Sequence, residues 1–203
     1  MDKEISSFFA LVFRQKYIQR WGLMRNALPE SLAQHSSECA MITHALAVIG
    51  NKLFGRCYDT GKAVTLALYH DVPEVFTGDM PTPIKYANPV IRSEFGVIEE
   101  QSAKDILNKL PSELMEEYES LFYEAEEDKE LHRLVKCADK ICAFVKCIEE
   151  EKFHNTEFSS ARIGIEKKLR EIDLSEVKYF MEHFLPAFML TLDEQQGFGS
   201  SEK

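Results

Sequence analysis

The chain has no CxxC pair. Its five cysteines, Cys39, Cys57, Cys137, Cys142 and Cys147, are odd in number and scattered through 203 residues. This spacing argues against a disulfide framework and against a thiolate zinc cluster. It fits reduced, mostly buried thiols of a cytoplasmic protein. Long apolar runs are missing as well. The stretch "FFALVF" follows Asp2 and Glu4 and breaks at Arg14, too short for a signal peptide or a membrane span. Positive charge is scarce: Lys+Arg 24 against Asp+Glu 34 gives a net charge of −10. A chain this acidic is a poor match for a nucleic-acid polymer or an acidic membrane, although a small basic pocket for one phosphate stays open. No repeat, linker or low-complexity stretch divides the chain. Residues 1–194 read as one domain, long enough for a sizeable core, with 195–203 as a loose tail.

Strict apolar–polar alternation is absent, and helical periodicity takes its place. The spacing predicts stripes at Ile5, Phe8, Phe9 and Val12; at Cys39, Ile42, Leu46 and Ile49; and at Phe95, Ile98, Ser102 and Ile106. The cleanest runs Leu131, Leu134, Val135, Ala138, Ile141, Cys142, Val145, Ile148, and a last one takes Val177, Phe180, Met181, Phe184 and Phe188. Phe180, Phe184 and Phe188 read equally as core or as a seam between two copies. The expectation is an all-α domain of about six to eight helices. The proline-rich stretch 73–89 is expected to be its longest irregular segment, and such segments are often functional.

Several polar residues sit where core packing does not want them. The apolar run "VTLALYHD" ends in His70 and Asp71, with Pro73, Glu74 and Asp79 close behind. His35 shares a face with Cys39 and Ile42, Asp71 follows Ala67 by a helical turn, and Asp139 stands between Val135 and Cys142. Two imidazoles and two carboxylates therefore aim inward from separate helices, with no buried Arg or Lys evident on the same faces. An unpaired buried carboxylate costs several kcal/mol, so each needs a partner. Taken singly, an inward histidine is ordinarily a hydrogen-bonded core residue and an edge aspartate is ordinarily solvated. Taken together, the groups suit one divalent ion. Nitrogen and oxygen donors without thiolate favour a six-coordinate Mn, Co, Ni, Fe or Mg with positions left for water.

The order His35, His70-Asp71, Asp139 resembles the H…HD…D signature of HD-domain metal-dependent phosphohydrolases. More specifically, "RWGLMRN" (20–26), "HDVPEVFTGDMPTPIKY" (70–86), "VKCADKICAFVKCIEE" (135–150) and "YFMEHFLPAFMLTLDE" (179–194) resemble the bacterial 5′-deoxynucleotidase branch of that superfamily over about residues 8–194. The resemblance implies a single helical HD bundle, a homodimer, and hydrolysis of deoxyribonucleoside 5′-monophosphates. It makes His35, His70, Asp71 and Asp139 the metal ligands, with His35 also beside the substrate. Glu74 would orient or deprotonate the attacking water, and Arg20 would hold the phosphate. Trp21 would pack on the sugar, Asp79 would bind near the 3′-hydroxyl and act near the leaving oxygen, and Met80, Pro81 and Thr82 would complete the nucleotide contact. Two departures stand out. Ala33-Gln34 replaces Ser-Glu, which bears on the surroundings of His35. Pro73 replaces a small residue, which disfavours a helical Val72 and bears on the aim of Glu74.

Phosphate monoester hydrolysis needs such groups: a cation to acidify water and offset phosphate charge, a carboxylate to take a proton, and an arginine to match phosphate oxygens. Blander readings remain beside these. Arg20 reads as a solvated surface charge and Trp21, the only tryptophan, as a core residue. Glu74 and Asp79 read as cap or turn residues, Lys85 as a solvated lysine, and "EAEEDKE" (124–130) as a solvated helix start. Another HD nucleotide phosphohydrolase, acting on triphosphates or cyclic diesters, is the first alternative. The remaining histidines, His44, His132, His154 and His183, form no HxxH pair, and His44 projects from the face opposite His35, so one metal and a monoester are favoured. A non-catalytic nucleotide-binding module is the second alternative. No side chain stands out as a reader of the base.

Overall fold

The computed structural model describes residues 5–85 and 87–197. Every regular element among them is helical, and an isolated antiparallel bridge joins Gln19 and Ser31. The order is α1 (Phe8–Val12), α2 (Leu32–Leu53), α3 (Thr60–Tyr69), α4 (Glu74–Thr77), α5 (Thr82–Lys85), α6 (Pro89–Leu107), α7 (Met115–Phe122), α8 (Lys129–Lys152), α9 (Ser159–Arg170), α10 (Ser175–His183) and α11 (Leu192–Gln196), with short 3₁₀ turns between. No helix among the described residues is long and apolar enough to cross a membrane.

The centre of the bundle is α8. Its stripe at i, i+3, i+4, i+7 is buried over its whole length, from Leu131 to Ile148. It packs against α2 and α3 in one core, which α9 and α10 close with Leu169, Leu174, Val177 and Phe180. Local chemistry starts these helices. The Ser31 side chain accepts from Gln34 N at the head of α2, and Asp59 accepts from Lys62 N at 2.8 Å at the head of α3. A smaller core of Phe8, Val72, Val75, Ile106, Leu107 and Leu110 lies between the N-terminal segment, α4 and α6.

Several expectations change here. The first stripe does not form a face: Phe8 is buried among Tyr118 and Phe122, while Ile5 and Phe9 are exposed and the chain passes into a 3₁₀ turn at Phe13. Ile98 is exposed on α6. At about 100° per residue it lies some 60° from Phe95, on the side away from buried Ala103 and Leu107. Phe184 and Phe188 are largely exposed, and of that stripe Val177 and Phe180 enter the core. The segment 73–89 contains α4 and α5. Pro73, at φ −55°, stands just ahead of α4, where its fixed φ and missing N–H are tolerated. Asp128, inside the acidic run read as solvated, is buried against Lys62 Nζ at 2.6 Å. The tail expected to be loose from 195 begins inside α11, which carries a Thr191–Glu194 capping box and stops at Gly197 (φ 74°). Asp2, Glu4 and residues 198–203 lie outside the described residues.

Candidate active site

Three segments converge beside the middle of α8. His35 comes from the second turn of α2, His70 caps the C-terminus of α3, Asp71 follows it, and Asp139 lies at the edge of the α8 stripe. Asp71 Oδ2 is the hub. It lies 3.2 Å from His70 Nε2, 3.6 Å from His35 Nε2 and 3.3 Å from Arg20 Nη1. Asp139 Oδ1 lies 3.3 Å from His35 Nε2 and 3.7 Å from Arg20 Nη2. The His70 Nδ1 atom sits 2.6 Å from the Ala67 carbonyl, which can only accept. This keeps a proton on Nδ1 and points Nε2 at Asp71.

The charges are unbalanced, and the titration behaviour follows. Burial disfavours the charged form of His35, but Asp139 and Glu30 outweigh it and raise its pKa to about 10. His70 is raised to about 9 by Asp71 against the same burial cost. Asp71 and Asp139 are held below the ordinary carboxylate range despite burial, Asp71 chiefly by His70 and Asp139 chiefly by His35. Glu74, buried at the start of α4, goes the other way. Burial first, then Asp71 and Asp79, push it up to about 9.

The donor set fits a divalent cation. Buried His35 Nε2 and His70 Nε2 have no hydrogen-bond partner, and both face carboxylate oxygens. The carboxylates of Glu30, Asp71, Glu74, Asp79 and Asp139 surround a single guanidinium, that of Arg20. Cys39 also brings its sulfur within 4.8 Å of nitrogens of His35 and His70. Its thiol contacts the Val135 carbonyl, and contact with Cys142 together with burial raises its pKa well above normal. The carboxylates, already ionised, are the better donors.

The substrate-side residues fall in place as follows. Arg20 is buried among the acids, not solvated. Trp21 is half-buried, with its ring centroid 5.3 Å from that of Phe158 and its backbone at φ 60°. Its amide donates to Asp79 Oδ2 at 2.9 Å. Met80 and Pro81 are half-buried and Thr82 is exposed at the start of α5; none of them hydrogen-bonds to the cluster. Lys85 pairs with Glu99 at 2.8 Å instead of standing solvated. His44 is exposed on the far side of α2, as its spacing predicts. Gln34 is exposed and bonds Glu38 at 2.9 Å, so the departure at Ala33-Gln34 does not put a side chain against His35 Nδ1.

Two groups escape the sequence reading. Glu30 is buried beside the cluster: Oε2 accepts from Trp21 Nε1 at 2.8 Å, and Oε1 lies 3.6 Å from His35 Nδ1 and 3.7 Å from Arg20 Nε. Lys146 and Glu150, both buried on α8, form a pair at 2.5 Å. Buried Lys146, two turns from Asp139 on α8, corrects the expectation of no buried Arg or Lys on the faces that carry the inward imidazoles and carboxylates. A capping serine at 31 marks the start of α2, but only the Gln19–Ser31 bridge sets Glu30 opposite Arg20.

Comparison with known proteins agrees with this geometry. The family described as 5′-deoxynucleotidase YfbR-like matches residues 7–188. A 5′-deoxynucleotidase of Shewanella oneidensis is 44% identical over 190 residues, covering 94% of this chain and 97% of that protein. One of Vibrio cholerae is 44% identical over 189 residues, covering 93% and 97%. Among solved structures, an HD-domain phosphohydrolase from Listeria innocua superposes with a TM-score of 0.80 at 22% identity, over 94% of this chain and 92% of that one. A cyanophage S-2L HD phosphohydrolase bound to dA and one catalytic Zn²⁺ superposes with a TM-score of 0.60 at 22% identity, over 90% and 96%. Both share the fold. With a family match from one end of the bundle to the other, and relatives this similar over nearly their whole length, the chain belongs to the YfbR-like 5′-deoxynucleotidase family.

Proposed function

We propose that this chain hydrolyses deoxyribonucleoside 5′-monophosphates to deoxynucleoside and phosphate at the cluster around Asp71. His35, His70, Asp71 and Asp139 hold one divalent cation. The observation that carries this reading is the pair of buried imidazole Nε2 atoms without hydrogen-bond partners, both facing carboxylates. When bound, a divalent cation acidifies water, offsets phosphate charge and favours the ionised form of Glu74.

The chain's own residues do the rest. Arg20 reaches toward Asp71 and Asp139 with both terminal nitrogens, and the same planar fork suits two phosphate oxygens. Glu74 takes the proton of the attacking water, since it is the buried carboxylate next to Asp71 with no cationic partner closer than the Coulomb reach of Arg20 and Lys85. Asp79 uses Oδ2 for the Trp21 amide and leaves Oδ1 for the sugar 3′-hydroxyl. Met80, Pro81 and Thr82 continue that wall. The Trp21 ring, held between Glu30 and Phe158, lies along the 2′ edge of the sugar. A 2′-hydroxyl there meets no acceptor, at a cost of about 1–3 kcal/mol, which is one to two decades in rate.

The solved cyanophage relative carries dA and one catalytic Zn²⁺, which supports a single-ion reading without deciding the metal of this chain. Its unpaired and mostly buried cysteines suit a cytoplasmic protein. The exposed Phe184 and Phe188 suit a homodimer seam, testable by light scattering on the purified protein.

The test is phosphate release from dAMP, AMP, dATP and a cyclic diester, with added divalent metal and with chelator. Release from dAMP, about 10- to 100-fold faster than from AMP and abolished by chelator, is expected. No release from dAMP with any of Mn, Co, Ni, Fe, Mg or Zn refutes the reading.

A further inference from the structure

Glu30 touches none of the atoms that react in the reading above, yet it is 5% exposed at the meeting point of three groups that serve it. Oε2 accepts from the indole of Trp21 at 2.8 Å. Oε1 faces His35 Nδ1 at 3.6 Å and Arg20 Nε at 3.7 Å, two buried nitrogens with no hydrogen bond of their own. The backbone builds the arrangement: Arg20 N donates to the Glu30 carbonyl at 2.9 Å, and Leu32 N donates to that of Ile18 at 2.9 Å, on either side of the Gln19–Ser31 bridge. Arg20 and Glu30 therefore cannot slide past one another.

The next residue, Trp21, adopts φ 60°. That left-handed conformation is uncommon for a bulky side chain and persists only where its surroundings hold it. Two acceptors do so: Asp79 takes the amide and Glu30 takes the ring nitrogen. The three groups facing Glu30 are all donors once His35 turns Nε2 toward Asp71, since Nδ1 then carries the proton. Only an ionised carboxylate, with two oxygens and no hydrogen, serves all three; an amide would set a donor against a donor.

We propose that Glu30 is a positioning residue that locks Arg20, Trp21 and His35 into one unit, so that phosphate holding, sugar selection and cation binding share a single anchor. This rests on the function proposed above, but two of its readouts do not need turnover.

The experiment compares wild type, Glu30→Ala and Glu30→Gln. The only tryptophan reports directly: acrylamide quenching of metal-free protein follows how firmly Trp21 is held. Mn²⁺ or Co²⁺ affinity by calorimetry follows His35. The dAMP-to-AMP ratio of kcat/KM follows the indole at the sugar, and a merely structural role would not move it. Glu30→Ala is expected to raise quenching, weaken cation binding by about 10- to 100-fold and bring the ratio toward one. Glu30→Gln, of the same shape, is expected to stay folded while still losing cation affinity. A folded Glu30→Ala with wild-type quenching and cation affinity overturns the proposal. Should that variant not fold, Glu30→Gln decides in the same way, with unchanged quenching and affinity overturning it. Wild-type protein that releases no phosphate from dAMP defeats the proposed function instead, and quenching still decides on Glu30.

Discussion

Glu150→Ala is expected to loosen the loop 21–29, which carries Trp21 and hangs on the Glu150 carboxylate through the amides of Ala27 and Leu28. Glu150 is fully buried on α8 and accepts four hydrogen bonds: Ala27 N at 2.8 Å, Leu28 N at 3.1 Å, Asn155 Nδ2 at 2.6 Å and Lys146 Nζ at 2.5 Å. Asn155 also ties the Arg25 carbonyl at 2.7 Å, and Lys146 donates to that of Leu28. The loop 21–29 thus hangs on one buried ion pair. Removing the carboxylate leaves Lys146, 4% exposed, as an uncompensated charge. Breaking one side of a buried pair costs about 3–5 kcal/mol, a large share of the 5–15 kcal/mol typical of a domain.

Replacing both partners with uncharged side chains of similar size, Lys146→Met with Glu150→Gln, is expected to return part of the loss, because no charge is left buried and the amide oxygen still accepts from one side of the loop, while the amide nitrogen faces the N–H donors of the other. Urea unfolding of both variants measures the stability, and KM for dAMP measures the loop, expected to rise in the single mutant. The clamp also carries a pH signature. Lys146, the two amides and Asn155 outweigh burial and pull Glu150 down to about 2 from 4.5. A depressed carboxylate stabilises above its unfolded pKa and loses that contribution as pH falls through the folded one, here from about 4.5 to 2. A Glu150→Ala protein within about 1 kcal/mol of wild type would refute the buried-charge argument.

Asp71→Ala removes the hub that His35, His70 and Arg20 share, so elemental analysis should find the metal lost along with turnover; full occupancy with normal activity would sink the site. Glu74→Gln is expected to keep its metal and lose about 10²- to 10⁴-fold in kcat, and a near-normal kcat would pass the proton-accepting role to Asp79. Trp21→Ala should narrow the preference for dAMP over AMP mainly by admitting AMP, and an unchanged ratio would make Trp21 a packing residue only. In chelator, native Glu74, His35 and His70 hold protons to about 9, 10 and 9, whereas the unfolded groups release them near 4.5, 6.5 and 6.5. All three therefore lose stability as pH rises between about 6.5 and 9. The melting temperature of metal-free protein should fall across that window and flatten when Mn²⁺ takes the protons' place, whereas a flat profile in chelator would count against the cluster's electrostatics.

What was written along one dimension was the helical bundle and the inward set of imidazoles and carboxylates. The period of α8 places Asp139 at the edge of a stripe whatever surrounds it, and the HD pair ends α3 because an apolar run stops there. Helix periodicity is a local property, so each stripe needs only its own residues. It misled where a face is not covered by another helix: Phe9, Ile98 and Phe184 keep the spacing but stay exposed. The caps Ser31, Asp59 and Asn88 are equally local. Glu30, Lys146 and Glu150 were silent, because a charged residue reads as solvated until another segment is laid over it. Glu30 becomes the neighbour of Arg20 only through the short bridge at Gln19 and Ser31, and Glu150 becomes an anchor only because the 21–29 loop returns across α8, more than a hundred residues away in sequence. Pairing of buried charges is a long-range matter: the desolvation cost of each is met by partners whose distance in space the order of residues does not state.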